Sequence, residues 1–176
     1  RTLAQKMGES TGQTFVVENR PGGNGFIGAD AVAKAPADGY TLLFNASTFT
    51  TGPMVAKAPY DVQKDFAPVV LVAQAPLAVS VTNELPVKDI AGLLAHAKAN
   101  PGKLSYGTPG QGSSPHLAAE MFDRMAGVKT THVPYKGAGP ALIDVLNGQL
   151  NFWFDPGPGL KHLKEGKIRL LAIGSP

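Results

Sequence analysis

Apolar and polar positions change period along this chain, and the changes predict its elements. Arg1 to Glu9 reads as a helix with Leu3 and Met7 four residues apart, ending near Gly8 and Gly12. F-V-V-E-N (15–19) and T-L-L-F (41–44) are short apolar runs with strand composition, separated by the loop R-P-G-G-N-G (20–25) and an alanine-rich helix over 26–35. Residues 45–53 form a polar loop after the second run. V-V-L-V-A (69–73) and L-A-V-S-V (77–81) predict two strands joined through Pro76 as a kinked crossover, because three residues with a proline do not make a favoured hairpin turn. Helices then alternate with strands: helix 90–99, strand 104–106, helix 115–125, strand 131–133, helix 139–146, strand 150–154, helix 159–164 and strand 168–173. This alternation predicts an α/β fold of βαβ units around a parallel sheet. Ligands of such sheets sit beyond the carboxyl ends of the strands. Four loops meet that condition: 45–53, 107–114, 134–139 and 155–158.

The elements divide unevenly. Residues 75–173 hold enough of them for one compact lobe, whereas residues 1–73 supply two or three strands and two helices, thin for an independent core. The first lobe is therefore expected to borrow a partner or to have part of itself outside this chain. The chain opens at Arg1 inside a periodic pattern, with no signal peptide evident, so it reads as a mature or trimmed form.

Composition mainly excludes. The 176 residues are 43% hydrophobic and 16% charged, the balance of a globular chain and not of a disordered one. No apolar run approaches the roughly 18 residues needed to span a bilayer. Cysteine is absent, which removes disulfides, thiolate metal sites and a cysteine nucleophile. The net charge of +3 is scattered, with no basic run suited to nucleic acid. The four histidines show no metal-ligand spacing, and neither a metal nor a cofactor is expected.

Gly107 to Ser114 reads G-x-x-x-x-G-S-S, one residue from the phosphate-cradling G-x-x-x-x-G-K-[ST]. Ser113 or Ser114 suits an N-cap and Pro115 a first helical position. Read plainly, this is a capped helix entered through a glycine turn. Free N–H groups at a helix start, together with two hydroxyls, also make an anion site. Without the lysine, a carboxylate fits that site better than a nucleotide. In H-V-P-Y-K-G-A-G-P (132–140), Tyr135 offers an aromatic wall with a hydroxyl and Lys136 a cation, or else a packing ring and a solvated charge. Asp155, at a strand end before P-G-P-G, suits a helix cap or a ligand contact. A-S-T-F-T-T (46–51) sets four hydroxyls around Phe49, to line a pocket or to cap a helix. Ser113 or Ser114 near His116 raises a hydrolase or phosphate-ester enzyme as the alternative. The G-x-S-x-G elbow is not met, and a base two or three residues away inside a helix start faces its nucleophile poorly.

The stretches V-V-E-N-R-P-G-G-N-G-F-I-G-A-D-A-V-A (16–33), D-G-Y-T-L-L (38–43), Y-D-V-Q-K-D-F-A-P-V (60–69), Y-G-T-P-G-Q-G-S-S-P-H-L-A-A-E (106–120) and H-V-P-Y-K-G-A-G-P-A-L-I-D-V-L-N-G-Q-L (132–150) follow in this order. Together they resemble the Bug, or TctC-like, periplasmic solute-binding receptors of tripartite tricarboxylate transporters. The resemblance implies a type II periplasmic-binding-protein (Venus flytrap) fold with two α/β lobes, here a partial first lobe over 1–73 and a second over 74–174. It implies a receptor and not an enzyme, with no cofactor, binding a small carboxylate: a dicarboxylate, tricarboxylate, amino acid or aromatic acid. The partners it implies are the membrane subunits of the transporter or a sensor. Carried over residue by residue, Thr108, Gly112, Ser113 and Ser114 match the second-lobe carboxylate grip. Tyr135, Lys136 and Gly137 match the adjoining loop, and Asp155 the residue that discriminates the ligand's far end. Ser47 and Thr48 match the first-lobe loop, where Phe49 replaces a frequent histidine and suggests a less polar or aromatic ligand. Family members extend further at both ends, so the chain is expected to be a fragment or shortened paralogue whose first lobe is unsupported or completed by another chain.

Overall fold

The computed structural model describes residues 1–174. Its only sheet among them is five-stranded and lies wholly within residues 77–174. The strands are β1 (Leu77–Thr82), β2 (Ser105–Thr108), β3 (Thr131–Pro134), β4 (Phe152–Asp155) and β5 (Ile168–Gly174), in the order β3-β2-β4-β1-β5. β2 runs parallel to β3 and to β4, as expected. The all-parallel expectation needs correcting at β1, which is antiparallel to β4 (Ala78 opposite Asp155) and to β5 (Leu77 opposite Gly174). The sheet is therefore mixed. No helix feeds β1. It enters from the irregular segment before Leu77, so the crossover rule that keeps successive strands parallel does not bind it.

Four helices cover the sheet: α4 (Ile90–Ala99) and α5 (Ser114–Ala126) on one face, α6 (Ala138–Leu146) and α7 (Leu160–Lys164) on the other. The two-residue period of β4 explains how one strand serves both. Phe152 and Phe154 point into the α4/α5 face with Val79, Val81, Leu93, Tyr106 and Ala119. Trp153 points into the α6/α7 face with Ala141, Val145, Leu150 and Ile168. Asp89 caps α4 by accepting from the Gly92 N–H at 2.7 Å, and Ser113 caps α5.

Residues 1–76 pack differently. They carry α1 (Thr2–Thr11), a 3-10 turn over Gly23–Gly25, α2 (Phe26–Ala33) and α3 (Thr48–Val55). Their core is a small aromatic cluster in which Tyr60 meets Phe26, Phe49 and Phe66 at ring-centroid distances of 5.5 to 5.7 Å. The three strands expected at 15–19, 41–44 and 69–73 do not form, because a strand is stable only when a neighbour takes its N–H and C=O groups. These segments are extended chain without a ladder, and most of their apolar side chains stay in solvent, Val16 88% and Val69 79% exposed, while Leu43 packs against the aromatic cluster. The expected polar loop at 45–53 is also corrected, since it becomes helical from Thr48. Thr50 donates its hydroxyl back to the Ser47 carbonyl there, which satisfies it within the first turn.

Phe152 is fully buried at the centre of the sheet, against Tyr106, Phe122 and Phe154. Phe152→Ala is expected to destabilise the protein by about 3–5 kcal/mol, read as a lowered midpoint in urea denaturation with little change in slope.

Candidate functional site

The mixed topology brings the carboxyl ends of β2, β3 and β4 and the amino end of β1 to one edge of the sheet. The loops leaving β2 and β3 meet there. The Tyr135 N–H donates to the Thr108 carbonyl at 2.9 Å, and the Gly137 N–H to the Pro109 carbonyl at 3.0 Å. Residues 21–26 and α3 close over this edge. The Thr51 hydroxyl donates to the Gly112 carbonyl at 2.6 Å. Two glycines allow the approach. Gly110 has φ 153°, and a Cβ there would come within 2.9 Å of Asn24 Oδ1; Gly112 has φ 76°, and a Cβ there would come within 2.5 Å of Val55.

Between these walls lies a cavity of about 760 Å³. One part of the wall comes from Pro21 to Phe26, Asn45, Thr48, Ala56 and Lys57, the other from Pro109 to Gln111, Ser113 and Pro134 to Gly137. Of the residues singled out in the sequence, Thr48, Ser113, Tyr135, Lys136 and Gly137 line it. Ser47, Phe49, Thr108, Gly112, Ser114 and Asp155 do not. Phe49 packs in the aromatic cluster, stacked on Tyr60. Thr108 is buried beneath the loop, its hydroxyl 2.7 Å from His132 Nε2.

Hydrogen bonding within the loop decides what each group can offer. The Ser113 hydroxyl donates to the Gly110 carbonyl at 2.7 Å and accepts from the His116 N–H at 3.4 Å. The Tyr135 hydroxyl donates to Asp144 on α6; burial first, then that carboxylate, pushes its pKa up to about 12. Asp155 is 1% exposed and accepts the Gly157 and Gly159 N–H groups at Oδ1, at 2.7 and 3.2 Å. Burial nonetheless raises its pKa against those two bonds. Its Oδ2 has no partner. The His116 ring does not face Ser113 as a base, since its Nδ1 accepts the Gly112 N–H at 3.1 Å. That ring stacks on His132 with centroids 4.2 Å apart, and His132 stacks in turn on Tyr106. Burial, then the neighbouring His116, lowers the His132 pKa to about 4, with Glu120 opposing.

Sequence reasoning missed Asn24, Asn45, Lys57 and Gln111. The glycine density of R-P-G-G-N-G was the signal for Asn24, which sits at φ 56° in the turn. Nothing local marked Lys57.

The model of the tripartite tricarboxylate transporter family receptor matches residues 1–175, and the chain belongs to that family. A curated relative from a Pseudomonas species is 42% identical across 99% of this chain and 53% of its own length. BugT of Bordetella pertussis is 38% identical across 98% of this chain and 54% of its own. The chain thus spans about half the length of the curated relatives it matches. Among solved structures, an R. palustris protein with adipate superposes with a TM-score of 0.95 at 40% identity, covering 98% of this chain and 58% of that one. The periplasmic binding protein BugD gives 0.91 at 34% identity, covering 99% and 59%. MatC from Rhodopseudomonas palustris with bound malate gives 0.87 at 27% identity, covering 98% and 60%. The family and these neighbours are solute-binding receptors and not enzymes. No helix among the described residues is long and apolar enough to cross a membrane.

The lowered His132 pKa fixes a pH dependence. Between about pH 6.5 and about 4 the unfolded chain takes up a proton that folded His132 refuses, so stability falls as pH drops through that window. Thermal melts from pH 7 to pH 4 are expected to show this fall, and His132→Gln to flatten it.

Proposed function

We propose that this protein is a periplasmic receptor that binds a small carboxylate in the 760 Å³ cleft and delivers it to the membrane subunits of a tripartite tricarboxylate transporter or to a sensor. The observation that carries the reading is the make-up of the wall: glycine-rich turns, amide side chains and two lysines, without one aspartate or glutamate. Such a wall suits an anion. A carboxylate held by N–H groups and a cation gains about 1.5–3 kcal/mol per charge-assisted hydrogen bond. The relatives solved with adipate and with malate support the same class of ligand, which takes in dicarboxylates, tricarboxylates, amino acids and aromatic acids.

In this reading residues 1–73 belong to a first lobe and residues 74–174 form the second. The exposed apolar segments at 15–19, 41–44 and 69–73 supply the strand surface on which further polypeptide completes the first lobe. Ser113 and Ser114 act by shaping the loop. Thr108 and Gly112 support it from beneath, and Asp155 fixes the turn after β4 beside the cleft. Ser47 and Phe49 anchor α3, from which Thr48 reaches the cavity.

Titration calorimetry of the purified protein against a panel of mono-, di- and tricarboxylates, amino acids and aromatic acids is expected to find a ligand. Lys136→Ala is expected to weaken that ligand about tenfold or more, the loss of one charge-assisted bond. A fluorophosphonate probe is expected to leave Ser113 and Ser114 unlabelled. Labelling with ester turnover, and no binding, would favour the hydrolase instead.

A further inference from the structure

His116 stands behind the cleft loop and not in its lining. It occupies the first turn of α5, and its Nδ1 accepts the Gly112 N–H at 3.1 Å. An imidazole nitrogen that accepts carries no proton, so the ring is neutral in this arrangement and its hydrogen sits on Nε2. That nitrogen faces Glu120 Oε1 at 3.6 Å, the oxygen that also accepts the Tyr106 hydroxyl. His132 on β3 stacks on the ring. These are the titratable groups that α5, β2 and β3 bring to His116, and α3 and residues 109–113 contain none. Burial, then charge on His116, holds the His132 pKa down at about 4. Any proton taken up by the stacked pair above that pH goes to His116. A proton on Nδ1 sets two N–H groups against each other and leaves the buried Gly112 N–H without an acceptor. Gly112 turns the loop at φ 76°, and its carbonyl accepts the Thr51 hydroxyl from α3 at 2.6 Å. The two peptide planes share the Gly112 Cα, so displacing one disturbs the other. Gln111 and Ser113, on either side, line the cavity.

We propose that His116 is a positioning residue whose unprotonated Nδ1 latches the 109–113 loop to α3, and that a proton there releases the latch on this side of the cleft. The closed loop and the proton compete for one lone pair. Capture of a ligand by the closed loop therefore expels the proton, and affinity falls as pH drops through the titration of His116. The latch stands without a ligand; its effect on affinity rests on the receptor reading.

Heteronuclear NMR of the ligand-free protein from about pH 8 to about pH 5 reads the latch directly, in a range that brackets an ordinary imidazole. At the upper end His116 Nδ1 is expected to resonate as an unprotonated nitrogen and Nε2 as an N–H. On acidification the Gly112 amide shift is expected to follow the His116 ring, with its protection from hydrogen exchange falling about tenfold, the loss of one hydrogen bond. His116→Asn, whose Oδ1 stands where Nδ1 stood and takes no proton, is expected to keep that amide protected across the range. His116→Ala is expected to leave it unprotected throughout. Calorimetry with adipate and with malate, or with the acid of the wider panel that binds best, supplies the second readout. Wild type and His116→Asn see the same titration of the probe, so a fall in affinity about tenfold larger in wild type isolates the ring. A protonated Nδ1 at the upper end, a Gly112 amide indifferent to the His116 titration, or an equal pH dependence of binding in wild type and His116→Asn overturns the proposal while leaving the carboxylate receptor standing. Binding of no acid in the panel overturns the receptor reading instead, and the spectra then decide the latch alone.

Discussion

The reversed course of β1 is the constraint on which the site depends. Had β1 run parallel to β4 and β5, its amino end would lie at the far edge of the sheet, away from the loops after β2 and β3. Because it is antiparallel to both neighbours, residue 77 starts at the edge where Thr108, Pro134 and Asp155 end. The preceding 76 residues are thereby delivered to the mouth of those loops. A two-walled cleft follows from this one strand direction, while the crossovers through α5, α6 and α7 keep the other four strands parallel.

Within the cleft, the hydroxyls that look like ligand donors are mostly structural. Thr108, Ser113 and Tyr135 are tied to His132, Gly110 and Asp144. This makes the loop a preset shape that loses little freedom when a ligand arrives. What remains on the wall is backbone, the Thr48 hydroxyl, side-chain amides and two ammonium groups, so its formal charge is positive.

Much of the second half was legible because its elements carry their own boundaries. Ser113 and Pro115 at the start of α5 are local signals, and the structure uses them as such. The mixed order of the sheet was not legible, since nothing in L-A-V-S-V-T encodes the direction of its neighbours. The expected strands at 15–19, 41–44 and 69–73 failed for a different reason. Their apolar composition was read correctly, but a strand is a relation between two segments, and these have no partner among the described residues. The site divided in the same way. Tyr135, Lys136 and Gly137 follow a strand end directly and were found, whereas Lys57 reaches the cavity only through the placement of α3. Asp155 was read as a helix cap or a ligand contact; its Oδ1 bonds to Gly157 and Gly159 hold the turn before α7, whose N-cap is Gly159 without a side-chain bond.

The Gly112 peptide joins these threads. Its N–H is held by His116 Nδ1 from within α5, and its carbonyl is held by Thr51 from α3. The two peptide planes that meet at the Gly112 Cα are therefore fixed from both sides of the cleft, and no side chain can be added at that residue without striking Val55. His116 is in turn held against His132, which burial keeps neutral down to about pH 4 and which bonds the Thr108 hydroxyl at the end of β2. A neutral His132 leaves the stacked pair free of the repulsion between two imidazolium rings. The geometry of the loop is thus set by buried contacts running from the sheet through the two histidines to α3, and the lysines at its rim are positioned by a frame that carries almost no charge of its own.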